Sequence, residues 1–338
     1  MKETSLEANT VVTEAARKVE RAVGQMYSTY PFPKRNAFGI EKMNRDFVQN
    51  LQALGLDPEM LRGRRVLDAG CGTGELSCFM ARLGAEVTGM DISTGSLAYA
   101  REQAQAQKLS IQFLEGSLLD TPFELGSFDV VVSNMVLHHT PDPARAFVNI
   151  ARTLTPRGTI IIRVFCLWGR MSPFQKSPLW KVRVTQWIAG KDPDRRVRVA
   201  EKLFYRPGHE VPHGIDKQTY LHDNFGVPHA SHHTYGQILR WFQQAGIEYV
   251  SSNPPMELSR FLAPFLIPKR SFTWRGQISR NFVRLFFGLF PIHRLSAFQR
   301  PGRMSRAVTQ FFHLFLSGST MYTVMGVKSN SSAPKTVP

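Results

Sequence analysis

Nine residues, Val66-Leu67-Asp68-Ala69-Gly70-Cys71-Gly72-Thr73-Gly74, constrain this chain more than any other stretch. A short apolar run enters an acid, glycines follow on alternate positions, and a helix-forming run from Glu75 to Leu83 comes next. That order predicts strand, tight turn and helix, the first unit of a doubly wound parallel α/β sheet. Residues without a Cβ let the turn adopt positive φ and let a ligand approach the backbone closely. Such a ligand lies outside the carboxyl end of the strand.

The spacing then selects the ligand. A dinucleotide turn reads Gly-x-Gly-x-x-Gly and seats a pyrophosphate on the helix N-terminus. Here the glycines alternate strictly, Asp68 precedes them and Glu75 opens the helix. Carboxylates repel a phosphate and suit a cationic ligand. The next strand-like run, Glu86 to Met90, ends in Asp91, placed to accept two hydrogen bonds from a ribose diol. Asp-x-Gly-x-Gly-x-Gly followed by that acid resembles the S-adenosylmethionine site of class I methyltransferases. The resemblance implies a seven-stranded Rossmann-like sheet and S-adenosyl-L-methionine as cofactor. It sets Asp68 near the ammonium, Gly70, Gly72 and Gly74 along the methionine part, and Asp91 with Ile92 at the ribose.

Two later stretches extend the resemblance. Phe128-Asp129 through Ser133-Asn134 to Leu137-His138-His139 is similar to the fourth strand and exit loop of ubiquinone/menaquinone-type small-molecule methyltransferases. This implies Asn134 at the cofactor, and the Pro-Pro-aromatic exit of amino-methylating enzymes is absent. At Glu115-Gly116-Ser117-Leu118 the family commonly carries Asp where Ser117 stands, to take the adenine amino group. Ser117 can still accept a hydrogen bond there, and Leu118 can cover the ring.

In chain order, residues 1–26 carry a stripe of Val11, Ala15, Val19 and Val23, read as a solvated helix. Tyr27 to Arg35 is aromatic, punctuated by prolines and extended before each of them; Tyr27 and Tyr30 either line a substrate pocket or anchor the segment to the core. Residues 1–59 thus form an N-terminal lid segment and 60–165 the cofactor-binding core, with Thr155 to Gly158 a turn before the fifth strand. An insertion at 166–233, expected to cap the substrate, precedes a return to the core at 234–252. There Thr234-x-x-Gln237 is a capping-box pattern. A basic, aromatic insertion at 253–319, a closing strand at 320–328 and a tail at 329–338 complete the chain. Both insertions emerge on the ligand edge.

The first insertion is histidine-rich, but prolines and glycines flank His209 and His213, so no metal site is expected. If the acceptor must lose a proton, His138, His139, His229 or His233 could take it, and Tyr235 could line the acceptor pocket.

Net charge is +16, and from Leu258 onward there are twelve Lys or Arg and no acid. Charge placed so unevenly signals interaction. Aromatic helices are expected at 278–290 and 304–317; their phenylalanines pack inward as a pocket wall or enter a membrane interface, where Arg275, Arg280, Arg284, Arg300, Arg303 and Arg306 of this stretch would meet an anionic surface. Three cysteines, Cys71, Cys78 and Cys166, suit no disulfide framework. With no signal peptide they imply a cytoplasmic protein, peripheral at most to a membrane. Nothing specifies an oligomeric state. The leading reading is methyl transfer to a small, largely apolar acceptor of quinone, lipid or secondary-metabolite type, by in-line displacement. Nucleic acid is a second acceptor class consistent with the charge, though no RNA-binding module accompanies it. A third reading is a non-catalytic membrane or partner-binding protein with a residual cofactor pocket.

Overall fold

The computed structural model describes residues 12–171, 179–205, 214–257, 307–310 and 320–330. Seven strands form one sheet in the order β3-β2-β1-β4-β5-β7-β6. They are β1 (Arg65–Ala69), β2 (Glu86–Asp91), β3 (Gln112–Glu115), β4 (Phe128–Asn134), β5 (Leu154–Phe165), β6 (Ile247–Asn253) and β7 (Met321–Lys328). The first five run parallel, and β7 is antiparallel to β5 and β6. Strand order reverses between β1 and β4, and a crevice opens there at the carboxyl ends.

The helices follow from caps and apolar spacing. α1 (Glu14–Thr29) starts on Thr13, α2 (Ala37–Ala53) on Asn36, and α3 (Glu75–Arg82) directly on Gly74. Ser93 caps α4 (Thr94–Ala106), and Asp142 caps α5 (Pro143–Arg152) with a proline in its first turn. Beyond β5 come α6 (Leu167–Met171), α7 (Leu179–Ala189), α8 (Pro193–Phe204) and α9 (Lys217–Leu221). α9 continues into a π-turn at His222–Gly226. The predicted capping box is complete on α10 (Tyr235–Gln244), where Thr234 and Gln237 bond each other's backbone N–H.

One core face packs β4 and β5 against α5 and α10 through Phe147, Ile150, Tyr235 and Phe242. The other packs Val66, Val87, Val130 and Ile161 against α2 and α3 through Leu51, Leu76 and Met80.

Three expectations need correction. Thr155 to Gly158 belongs to β5, whose pairing with β4 is offset there; Arg157 has positive φ, and the strand absorbs the bend as an irregularity rather than breaking. α1 runs on through Tyr27 to Thr29, past the expected end of the first helix at residue 26. α1 itself is no solvated helix: it buries Glu20, Val23, Gly24 and Met26. It lies close against the start of α4, where a Cβ on Gly95 would come within 2.4 Å of the Ser28 carbonyl oxygen. The expected helices at 278–290 and 304–317, His209 and His213 fall wholly or largely outside the described residues. Among the described residues no helix is long and apolar enough to cross a membrane.

Candidate active site

The glycine turn forms as its sequence requires. Gly70, Gly72 and Gly74 all have positive φ, at 86°, 52° and 73°. Their roles differ. Gly70 and Gly72 line a cavity at the carboxyl ends of β1 and β4, with Asp68, Asp91, Ile92, Leu118 and Asn134. Gly74 is not in that wall; its absent Cβ makes room for Ala100 of α4, which an added Cβ would meet at 2.7 Å.

Four acids line the cavity, Glu20, Asp68, Glu75 and Asp91, and Asp68 and Asp91 come from β1 and β2. Asp91 accepts the Gly72 and Ser93 backbone N–H groups at 2.8 and 2.9 Å, so its two oxygens are fixed in direction. Asp68 accepts the Ser77 hydroxyl at 2.6 Å. Burial pushes the Asp68 carboxyl up to about 7, against the Ser77 bond that favours ionisation, with the nearby Asp91 charge adding to the rise. Burial also raises Asp91. Two ionisable acids held out of water are stabilised by a ligand that brings positive charge and hydroxyl donors. That is the polarity of S-adenosylmethionine, so these residues fit it.

Glu75 does not contribute in the same way. Its two oxygens take the backbone N–H and Nη1 of Arg35, each at 2.6 Å, in a buried ion pair. The pair fastens the N-terminal cover to α3. Alongside it, the Phe32 carbonyl accepts the Thr73 N–H at 3.3 Å, directly over Gly72.

Ser117 also departs from expectation. Its side chain is outside the cavity wall, between Gly116 and Leu118, and donates to the carboxylate of Glu20 on α1. Glu20 is 9% exposed and lines the cavity. A carboxylate therefore stands where the sequence has lost one, delivered from a different element. Only the empty acidic position at Ser117 hinted that one was needed; nothing local to Glu20 did.

The histidines separate cleanly. His139, in the turn after β4, lines the cavity. Its Nδ1–H donates to the His229 carbonyl at 3.0 Å, leaving Nε2 as the basic nitrogen, 3.9 Å from Asp223 Oδ1. Asp223 in turn accepts the Tyr27 hydroxyl at 2.8 Å. Burial lowers His139 from its ordinary 6.5, and Asp223 opposes that shift. His138 packs on Phe165 at 3.8 Å, His233 sits edge-on to Trp241 and bonds Ser231, and His229 offers only its carbonyl. None of these three lines the cavity: His138 and His233 are packed on Phe165 and Trp241, and His229 is only half-buried. Tyr235 is fully buried, stacked on Tyr322 with its hydroxyl on the Pro254 carbonyl, and is core. Tyr30 stacks on His222 at 3.7 Å and anchors the cover. Only Tyr27 of the three pocket tyrosines reaches the cavity.

A second cavity, about 480 Å³, adjoins the first. Phe32, Arg35, Met43, Asn134 and Met135 belong to both walls. Its far side is built by α2, the end of β5, α6 and the α9 region.

Against known proteins, residues 67–162 match the family described as "Methyltransferase domain". A ubiquinone biosynthesis O-methyltransferase of Alkalilimnicola ehrlichii is 30% identical over 206 residues, 58% of this chain and 81% of that one. Another so named, from Paracidovorax citrulli, is 45% identical over 108 residues, 31% of this chain and 44% of its own length. The chain spans about half or less of most of the curated relatives it matches. A solved magnesium protoporphyrin IX methyltransferase from Synechocystis with bound SAH is 16% identical, covering 93% of this chain and 99% of that chain at TM-score 0.47.

Proposed function

We propose that this chain, which belongs to the class I S-adenosylmethionine-dependent methyltransferases, methylates a hydroxyl oxygen on a small ring-bearing acceptor. The observation that carries the reading is the pair of adjoining cavities: one holds Asp68, Asp91 and Glu20, and Asn134 lies in the wall of both. Two relatives named as ubiquinone biosynthesis O-methyltransferases support oxygen as the acceptor atom.

When bound, the cofactor supplies a methyl group already activated by its sulfonium. The chain's own work is to hold, orient and keep dry. Asp68 offers a carboxylate to a cation, Asp91 offers two fixed oxygens to hydroxyls, and Glu20 with Ser117 offers an acceptor to an amino group. Ile92 and Leu118 give the same cavity apolar walls. The cover at Tyr27, Phe32 and Pro33 closes over the glycine turn and excludes water.

His139 Nε2 removes the acceptor's hydroxyl proton, and the resulting imidazolium faces the Asp223 carboxylate. Tyr27 holds Asp223 in orientation. Because His139 titrates below 6.5, its basic form persists into mildly acidic solution and is lost only as pH falls further. The test is release of S-adenosylhomocysteine with a panel of catechols and hydroquinones. The wild type should turn over at least one of them, with an acid limb below pH 6.5 that His139→Gln abolishes along with about 10²-fold or more of the rate. Failure of the whole panel, or a His139→Gln profile that keeps the limb, would overturn the reading.

The acid-free stretch 258–338, largely outside the described residues, carries a further part of this reading: attraction to an anionic membrane, at about 1 kcal/mol per basic residue near the surface. Flotation with liposomes should succeed with anionic lipid at low salt and fail with neutral lipid or high salt. Equal recovery in solution under every condition counts against it.

A further inference from the structure

The second cavity has a charge balance that an apolar acceptor does not satisfy. Four cationic side chains line it, Arg35, Lys42, Arg163 and Arg170, against two acids, Asp46 and Asp223. Arg35 is paired with Glu75, and Lys42 with Asp46 at 2.7 Å. Asp223 accepts the Tyr27 hydroxyl, and His139 Nε2 stands 3.9 Å from it.

Arg163 and Arg170 remain. Neither makes an ion pair or a side-chain hydrogen bond among the described residues, and the Nε of each is enclosed with no partner. Arg163 comes from the carboxyl-terminal part of β5, paired between Asn134 and Thr323. Arg170 comes from α6, immediately beyond that strand; it is 4% exposed and lies 4.6 Å over the Phe165 ring. The ring offsets part of the burial of a guanidinium but leaves its donors unmet. Burial disfavours the charged form of both.

Asp46 lies near enough to Arg163, and Asp223 to Arg170, to favour the charged forms against burial, but neither carboxylate bonds either guanidinium. A buried cation whose donors are unmet is costly, and such groups are normally paired or bound to ligand. Both arginines face a space contiguous with the methyl-donor cavity. Deepening the reading above, on which it rests, we propose that the acceptor bears a carboxylate and that Arg163 and Arg170 are the subsite that holds it. A planar guanidinium matches a carboxylate in a two-bond geometry, which fixes direction as well as charge. The acceptor class is then a hydroxylated aromatic acid rather than a neutral quinol.

The test compares 3,4-dihydroxybenzoate with its uncharged amide, titrated calorimetrically into the full chain saturated with S-adenosylhomocysteine. The acid should bind about tenfold or more tighter than the amide. Arg163→Met and Arg170→Met should each erase most of that preference and leave S-adenosylhomocysteine binding intact. Each variant should also melt no lower than wild type without ligand, because an unpaired buried charge is removed, whereas loss of an arginine that braces the fold lowers the melting point. Equal affinity for acid and amide, no saturable binding of either, or a preference that survives both substitutions overturns the proposal. Because binding is read without turnover, acid binding together with failure of the whole catechol and hydroquinone panel would leave the subsite standing and refute the methyl-transfer reading alone.

Discussion

Glu20 places a carboxylate beside a position where the sequence motif lacks one. The position held by Ser117 lacks a carboxylate, and α1 carries one to the same wall, bonded by the Ser117 hydroxyl. If that carboxylate accepts the adenine amino group, Glu20→Ala should weaken S-adenosylhomocysteine binding by about tenfold, as expected for a hydrogen bond to a charged group. The inosine analogue, which presents an oxygen acceptor there, should lose nothing. Equal loss for both ligands would assign Glu20 to folding rather than to base recognition. Asp68, Asp91, Gly70 and Gly72 were legible from sequence because their geometry is set within one strand-turn-helix unit. Glu20 was not, since its place depends on how α1 crosses the sheet edge. The Tyr27–Asp223 bond joins residues 196 positions apart, and no local pattern announces it.

At the scale of elements, one buried ion pair fastens the cover over the cofactor cavity to α3, alongside the Phe32–Thr73 bond and the Tyr30–His222 stack. Arg35 and Glu75 are 12% and 4% exposed in their side chains, and they join the segment after α1 to the first turn of α3. Removing Arg35 leaves the Glu75 carboxylate buried with only the residue 35 backbone N–H for company. Arg35→Ala should therefore cost about 3–5 kcal/mol, read as a lowered denaturant midpoint. Arg35→Met combined with Glu75→Gln should recover much of the loss. A single variant within about 1 kcal/mol of wild type would show the pair to be dispensable. The stretch from Tyr27 to Arg35 announced itself by its aromatics and prolines, but which tyrosine faced the ligand did not follow. Tyr30 and Tyr27 sit three positions apart, and helix α1 ends between them, so the chain turns one inward and the other onto His222. Tyr235 misled for a related reason: an aromatic at the start of a helix packs against a β-strand as readily as it lines a pocket.

At the scale of the whole molecule, the parallel strands, the switch between β1 and β4 and the antiparallel β7 follow from apolar runs alternating with capped helices. The acceptor side is built differently. Its wall draws on α2, β5, α6 and the turn after α9, elements spread along the chain from residue 37 to residue 226. The unpaired arginines emerge only once those parts are brought together. Everything proposed for that side presupposes the donor cavity, and the donor cavity is tested most directly at Asp91. Titrating S-adenosylmethionine into the wild type in a calorimeter should give saturable binding. Asp91→Ala should weaken it by about 2–3 kcal/mol or more, the loss of charge-assisted bonds, in a protein that still folds, though it melts lower because the Gly72 and Ser93 N–H groups lose their acceptor. Undiminished affinity in a folded Asp91→Ala protein, or no binding by the wild type, would contradict the account.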